Sequence, residues 1–463
     1  MGKFNQKVVN NTTNLAGGKA YDLDKHAELV SILLTSFGDD KYYRTAKEEV
    51  NRLKELIDLC DKQFVAKSII YARTQFGMRS ITHIASSILA KYISGSFARN
   101  FFNKVIYRVD DMGEILAYHK LSNQKVSNSM KKGFADSISR FNEYQLAKYK
   151  GEDKEFKLVD IVNLVHPIPN EINSIALHKL INGELKSFDT WEAELSAVGS
   201  DVNKKKEVWY RLLDENKLGY FALLRNIRNI VSLNDEELLD LALNALIDEK
   251  AIKKSLVLPF RYATAYRELS NINGKAMKYI NRACDISCNN VPILSGKTLV
   301  ALDVSGSMDG KPSEIASVFT AILLKSNDCD LITFSDNANY KNINTDDSVL
   351  SIADNFRYSC GGTNFPSIFT IANKKYDRVV LLSDMQSWKH GIYSPSAAFN
   401  KYKQLYNSNC KFYSFDLAGY GTLQIPQKDV YCLAGFSDKI FDIMKYYESD
   451  KNALINEINT IEL

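Results

Sequence analysis

Residues 301–310 read ALDVSGSMDG and place Asp303, Ser305 and Ser307 at alternate positions, directly after the apolar run TLVAL. Two further oxygen-bearing positions follow: Thr363, behind the glycine pair of CGGTNF, and Asp384, at the close of RVVLLSD. Carboxylates and hydroxyls are hard ligands that suit a divalent cation, Mg2+ first and Mn2+ or Ca2+ after it, rather than zinc or copper. A D-x-S-x-S turn lets two hydroxyls touch one ion while the carboxylate stands a water away. With so little formal charge from the protein, the ion keeps Lewis acidity and an open position for a partner's carboxylate. The plain alternative is a strand–turn–helix corner with a serine cap.

Such a set works only if the backbone makes it converge. From about residue 297, the short β-rich runs TLVALD, CDLITFS, RVVLLSD and KFYSFDL alternate with helical stretches such as SEIASVFTAILLKS and SPSAAFNKYKQLYN. That rhythm predicts βαβ units in a doubly wound α/β domain with a parallel sheet. In open parallel sheets ligands lie beyond the C-terminal strand ends, which is where Asp303 and Asp384 fall. Gly361 and Gly362 allow a tight loop presenting Thr363 at the same edge.

Residues 20 to 290 follow another period. LVSILLTSF, VNRLKELIDLC, HIASSILAKYI and LLDLALNALI repeat apolar residues at helical spacing. Helix starts are signalled at Ser187–Thr190 and Asn234–Glu237. Packed helical hairpins without a strict repeat are expected. Asn, Pro and Gly cluster in CNNVPILSGK, so the chain divides into an all-α domain, 1–290, and an α/β domain, 291–463.

The 463 residues are 45% apolar and 25% charged, a globular composition, with no run approaching the roughly 20 apolar residues of a membrane span. The polar N-terminus lacks a secretory signal, and Gln6 argues against myristoylation, so a cytoplasmic protein is expected. Seven scattered cysteines, of which only Cys284 and Cys288 are close, read as reduced thiols rather than a zinc site. The net charge of +4 is unevenly spread: residues 1–290 carry 43 basic against 36 acidic residues, and 291–463 carry 16 against 19. Within the helical half, 41–150 holds 20 basic and 10 acidic residues and 151–250 holds 12 and 19. A basic face for phosphate and ordinary solvated helix surfaces both accommodate this split.

The stretch VSNSMKKGFADSISRFNEYQLAKYKGEDK, 126–154, brings Lys131, Lys132, Arg140, Lys148 and Lys150 among Phe134, Phe141, Tyr144 and Tyr149. Cations neutralise phosphates and aromatic faces stack unpaired bases; the heptad spacing of Phe134 and Phe141 fits a core role equally. Arg73 and Arg79, flanking QFGM, are further candidates for the basic surface. Arg225 and Arg228, three apart on one helix, point either into the lumen, if the helices close into a ring, or toward an intramolecular partner among Asp214, Glu215 and Glu236.

Two resemblances complete the reading. D-x-S-x-S, the threonine behind a glycine pair and the later aspartate resemble the metal-ion-dependent adhesion site of von Willebrand factor A domains. That implies direct coordination by Ser305, Ser307 and Thr363, with Asp303 and Asp384 acting through water. The helical half resembles the TROVE module of Ro autoantigens in NTTNLAGGKAYDL, GMRSITHIASSILA, LVHPIPNE, VWYRLLDENKLGYFALLRNIRNI and LPFRYATAY. A TROVE module followed by an A domain is the arrangement of the Ro family, and it implies a non-enzymatic, RNA-binding scaffold. In that family HEAT-like helical repeats close into a ring. Its hole takes single-stranded 3′ ends of misfolded RNA, and its outer surface holds structured RNA or a small non-coding, Y-like RNA. The implied partners include a 3′ exoribonuclease such as polynucleotide phosphorylase, the implied state is a monomer, and His166 in LVHPIP matches a position that contacts RNA.

The competing reading is a metal-dependent interaction scaffold that captures an acidic protein ligand on a mainly structural ring. Enzyme classes fit poorly. GGKAYDL lacks the spacing of a phosphate-binding loop, the D-x-S-x-S site lacks the carboxylates of two-metal chemistry, and no Ser/His/Asp or Cys/His order is evident.

Overall fold

Local sequence sets the helix ends throughout. Thr45 caps the helix Ala46–Leu59 in a capping box, its Oγ1 taking the Glu48 N–H while a Glu48 carboxylate oxygen takes the Thr45 N–H at 2.8 Å. Asn142 and Gln145 repeat the device before Glu143–Lys148. Asp235 caps Glu236–Leu246, and Asn234 before it takes a left-handed conformation. Apolar stripes then bury Leu53, Leu56 and Ile57 in one helix and Leu238, Leu239, Ala242 and Leu243 in another.

The computed structural model describes residues 12–22, 24–36, 44–186, 191–255, 257, 259–269, 272–288, 291, 293–358, 361–388, 393–425, 430–434, 444 and 453–463. The helix-start signal at 187–190 and Cys360 lie outside these residues. Among them the chain is helical from Lys25 to Cys288, and strands alternate with helices from Thr298. No helix among the described residues is long and apolar enough to cross a membrane.

Two compact units emerge. One contains residues 23–189 with 434–439 and 452–463; the other contains 1–22, 190–433 and 440–451. The change from helices to strands falls near residue 297, as the sequence indicates, whereas the units divide near 190 and take one another's chain ends. In the first unit the helix Ala453–Asn459 packs on Lys62–Thr74, and Lys67 Nζ donates to the Asn459 carbonyl at 2.6 Å.

The second unit holds a six-stranded sheet. Its strands are β3 (Thr298–Asp303), β4 (Cys329–Phe334), β5 (Ala338–Lys341), β6 (Arg378–Ser383), β7 (Lys411–Asp416) and β9 (Val430–Ala434), in the order β5-β4-β3-β6-β7-β9. Neighbours among β4, β3, β6 and β7 pair in parallel, and β5 runs antiparallel. β3 and β6 are buried along their whole length, as continuous apolar runs require when helices cover both faces. The four sequence-predicted strands appear at their predicted places. β5 and β9 extend their sheet at its two edges, and β1 (Thr12–Thr13), β2 (Lys19–Asp22) and β8 (Thr422–Leu423) form a separate antiparallel sheet ordered β1-β2-β8. Residues 12–22 carry no helical period, and their partner lies some 400 residues away.

Candidate metal centre and basic face

β3 starts the sheet, β4 is laid on one side of it and β6 on the other, so the strand order reverses at β3. The loops after β3 and β6 part there and leave a crevice. Asp303 ends β3, and Asp384 follows β6. Asp303, Ser305, Ser307, Thr363 and Asp384 are all buried. The Asp303 carboxylate takes the Ser305 N–H at 3.0 Å and the Ser383 hydroxyl at 2.6 Å, and the Ser305 and Ser307 hydroxyls stand 3.4 Å apart. Asp384 takes the Gln386 N–H at 3.2 Å on Oδ1, while its buried Oδ2 has no hydrogen-bond partner among the described residues.

The loops are stitched to one another. Gly306 N–H reaches the Gly361 carbonyl at 3.4 Å, and the Thr363 carbonyl accepts from the Ser387 hydroxyl at 3.1 Å and the Trp388 N–H at 3.3 Å. Gly361 and Gly362 both have negative φ; the loop needs them for close approach instead. A Cβ on Gly361 would stand 3.2 Å from Ser335 Oγ and 3.3 Å from an Asp336 carboxylate oxygen, and Asp336 takes the Gly362 N–H at 2.9 Å.

Burial pushes the Asp303 and Asp384 carboxyls above their ordinary range. For Asp384 the charges of Asp303 and Asp416 add to burial, while hydrogen bonding from the Ser307 hydroxyl and the Gln386 N–H eases it. Buried, mutually repelling carboxylates, an orphaned oxygen and two hydroxyls 3.4 Å apart are what a divalent cation satisfies. Among the described residues no three His, Cys, Asp or Glu side chains cluster, so a hard cation must be held partly by hydroxyls. The donor set fits such an ion. Sequence reasoning missed Ser383, which positions Asp303, and Asp416, the end residue of β7, which adds negative charge. The signal for both was present, since each closes a predicted strand at the crevice edge.

A clasp holds this edge from the far end of the chain. Asn14 Nδ2 donates to the Ser387 carbonyl at 2.6 Å, and Leu15 N–H donates to Gln386 Oε1 at 2.7 Å. β2 pairs with β8, Tyr21 facing Leu423.

On the helical unit the sequence-predicted cations separate into two kinds. Lys131 and Lys132 lie on the helix Asn128–Ile138 with no polar partner among the described residues. That helix is seated closely on Gly95–Val105, since a Cβ on Gly133 would come within 2.5 Å of the Arg99 carbonyl. Lys148 lies between the Tyr144 and Tyr149 rings at 5.7 and 5.9 Å, and Tyr149 also stacks under Arg108 at 4.4 Å. His166 is exposed and caps Leu158–Val165 in a left-handed conformation. Arg140 and Lys150 are committed. Arg140 donates to the Asn103 and Ile106 carbonyls at 2.7 and 2.9 Å, and Lys150 to the Leu185 carbonyl and Glu152, both at 2.9 Å. Phe134 and Phe141 belong to the core. Arg73 belongs there too, against its expected surface role: it is buried and bonded to Asp111 because a matching carboxylate is folded against it. Arg79 pairs with Asp110 at 2.7 Å. The described cysteines are unbridged.

Comparison with known proteins adds a second line of observation. The TROVE domain model matches residues 34–182 and 182–292, and the Ro60 vWA domain model matches 297–447. Telomerase protein component 1 of Rattus norvegicus is 19% identical over 346 residues, 54% of this chain and 13% of that protein. Its Mus musculus counterpart is 33% identical over 96 residues, 20% of this chain and 3% of that protein. The chain thus spans only a small part of these relatives. The crystal structure of the Deinococcus radiodurans RO (RSR) protein superposes with a TM-score of 0.63 at 18% identity, covering 92% of this chain and all of that one.

Proposed function

Because the chain belongs to the Ro family, with its TROVE domain and its Ro-type A domain in that order, we propose that it is a non-enzymatic, RNA-binding scaffold of non-coding RNA quality control. The tandem of the two domains carries this reading, and the uncommitted Lys131 and Lys132 support it. In this proposal the helical repeats form a ring whose hole takes single-stranded 3′ ends of misfolded RNA. A basic outer face holds structured or Y-like RNA through Lys131, Lys132, Lys148 and His166, with Arg140 and Lys150 supporting that face. A 3′ exoribonuclease such as polynucleotide phosphorylase is the partner, and the setting is cytoplasmic.

The test pairs two RNAs of one structured sequence, one with a single-stranded 3′ tail and one blunt, with and without EDTA. Tighter, chelator-insensitive binding of the tailed RNA is expected; equal binding leaves only a charged surface. Lys131→Glu with Lys132→Glu is expected to weaken structured RNA and flatten log K against log salt by about 1.5, two phosphate contacts. An unchanged slope puts the RNA face elsewhere.

The orphaned Asp384 oxygen favours a second activity. In this proposal Ser305, Ser307 and Thr363 hold Mg2+ directly, Asp303 and Asp384 hold it through water, and its open position binds an acidic protein ligand. Bound metal would supply a Lewis-acidic docking point there. In EDTA, Asp384→Asn is expected to melt no lower than wild type, because it relieves a buried repulsion. With Mg2+ at a hundredfold its Kd, wild type should gain about 2.7 kcal/mol that the variant lacks. Equal melting curves with and without Mg2+ in wild type remove the ion from the account.

A further inference from the structure

A pair of tyrosines, Tyr262 buried and Tyr220 half-buried, locks two helices of the second unit. Tyr262, in Pro259–Glu268, donates to the Tyr220 hydroxyl at 3.0 Å, and Tyr220, which opens Tyr220–Val231, donates to the Leu246 carbonyl at 2.7 Å. Hydroxyls removed from water must keep these partners, so the register of the two helices is fixed. The residues next in sequence to this lock meet on the outside. Phe221 is 38% exposed, and the guanidinium of Arg261 lies 5.6 Å from its ring centre. Arg225, one turn beyond Phe221, brings a second guanidinium to 5.8 Å.

No carboxylate answers these cations. Neither arginine has an ion pair among the described residues, and Arg228, exposed on the same helix, has none either. Nearby acids are engaged elsewhere: Glu215 with Lys217, Glu236 and Asp240 with Lys275, and Asp248 on the Ala251 N–H. Residues 251–290 carry seven Lys and Arg against two Asp and Glu. Burial and then the charge of Arg225 depress the basicity of Arg261, as expected when two cations bear on each other with no anion between them.

Two guanidiniums converging on a shared ring offer forked donors suited to one phosphate group. The exposed ring adds a flat apolar surface that a bare phosphate cannot use and an unpaired base can. We propose that Phe221, Arg225 and Arg261 form a binding site for single-stranded RNA, in which the arginines hold a backbone phosphate and Phe221 contacts the adjoining base. The site lies in the second unit, whereas Lys131 and Lys132 belong to the first. It rests on the RNA-binding reading above and names one place where unpaired nucleotides are held.

The experiment uses the full chain, a fluorescent 12-nucleotide oligouridylate, a blunt RNA hairpin and inorganic pyrophosphate. Arg225→Gln with Arg261→Gln is expected to weaken the oligonucleotide at least about tenfold and flatten its salt slope by about 0.7, one single-strand phosphate contact. Phe221→Ala should cost the oligonucleotide about 5- to 100-fold, the range for one stacked base. Hairpin affinity should stay within about twofold. Arg225→Lys with Arg261→Lys preserves charge; it should keep the salt slope while binding less tightly, and it carries the test if the glutamine pair fails to fold. An oligonucleotide bound by the arginine variants as by wild type overturns the site and leaves the RNA-binding reading intact. Wild type that binds neither RNA overturns both. Equal losses for hairpin and oligonucleotide reduce the site to general phosphate affinity, and pyrophosphate binding as tight as the oligonucleotide reassigns it to a small anion.

Discussion

Asp111→Ala is expected to destabilise the unit built on residues 23–189 by about 3–5 kcal/mol, the cost of leaving a buried cation without its counter-charge. Asp111 is fully buried and serves five donor groups. Arg73 reaches it through Nε at 3.1 Å and Nη2 at 2.9 Å, His83 Nε2 lies at 2.9 Å, and the N–H groups of Tyr107 and Arg108 donate at 2.9 and 2.8 Å. Arg73 is itself buried over the Tyr107 ring. One carboxylate therefore joins three helices and the turn that leads from Gly95–Val105 into its own helix.

The pH dependence has a definite sign. Burial alone would push the Asp111 carboxyl up, but the contacts from His83 and Arg73 prevail and hold it at about 2. A carboxyl held below its unfolded value of about 3.9 stabilises the fold above that pH and loses the contribution as pH falls toward 2. Urea midpoints followed by circular dichroism at pH 7, 3 and 2 check this. Wild type should weaken steeply across that window, and Asp111→Asn should show a shallower dependence from a lower start. A loss under about 1 kcal/mol in the alanine variant at pH 7 would show that the network carries little of the stability.

Gly18→Val is expected to open the clasp on the crevice loop. A Cβ at Gly18 would stand 2.2 Å from the Ser387 carbonyl oxygen and 2.6 Å from Trp388 Cα, and both are backbone atoms that cannot rotate aside. The hairpin must lift, breaking the bonds of Asn14 and Leu15 to Ser387 and Gln386. Overpacking against fixed neighbours costs about 1–3 kcal/mol. Because Ser387 also tethers the Thr363 carbonyl, thermal stability should fall, and with it the Mg2+ affinity proposed above for the crevice. Gly17→Ala is the control: its φ of +80° imposes strain, but nothing lies within 4 Å of the new methyl. Rapid proteolysis within residues 12–22 in the Gly18 variant alone would confirm the lift; an unchanged melting point and Mg2+ affinity would contradict it.

The crevice edge was legible because each part is local. TLVALD and RVVLLSD declare buried strands, and the residues closing them must stand at the crevice. Phe134 and Phe141 were rightly open to a core role, since heptad spacing encodes burial. The fates of the cations were hidden. Arg73 lies in KSIIYARTQF beside residues that read as surface, and its partner is 38 positions away. Arg140 and Lys150 spend their donors on carbonyls, which any residue supplies and no pattern marks. At Arg225 no ion pair forms among the described residues; of the three acids the sequence offered, Glu215 pairs with Lys217 and Glu236 with Lys275 instead. The hairpin at 12–22 was invisible because a short edge strand has no period long enough to read.

The exchange of chain ends between the units has a kinetic consequence. Asn14 meets Ser387 across 373 residues, and Lys67 meets Asn459 across 392. Loop-closure entropy grows only logarithmically, about 0.6 kcal/mol per doubling of length, so these contacts are cheap at equilibrium. In time they are late. While the chain is being synthesised, the segment 12–22 waits for a sheet whose β6 and β8 do not yet exist, and the helix Lys62–Thr74 waits for its cover. Each unit is completed only when the other's sequence has been made, so the two should acquire protease resistance together rather than one after the other.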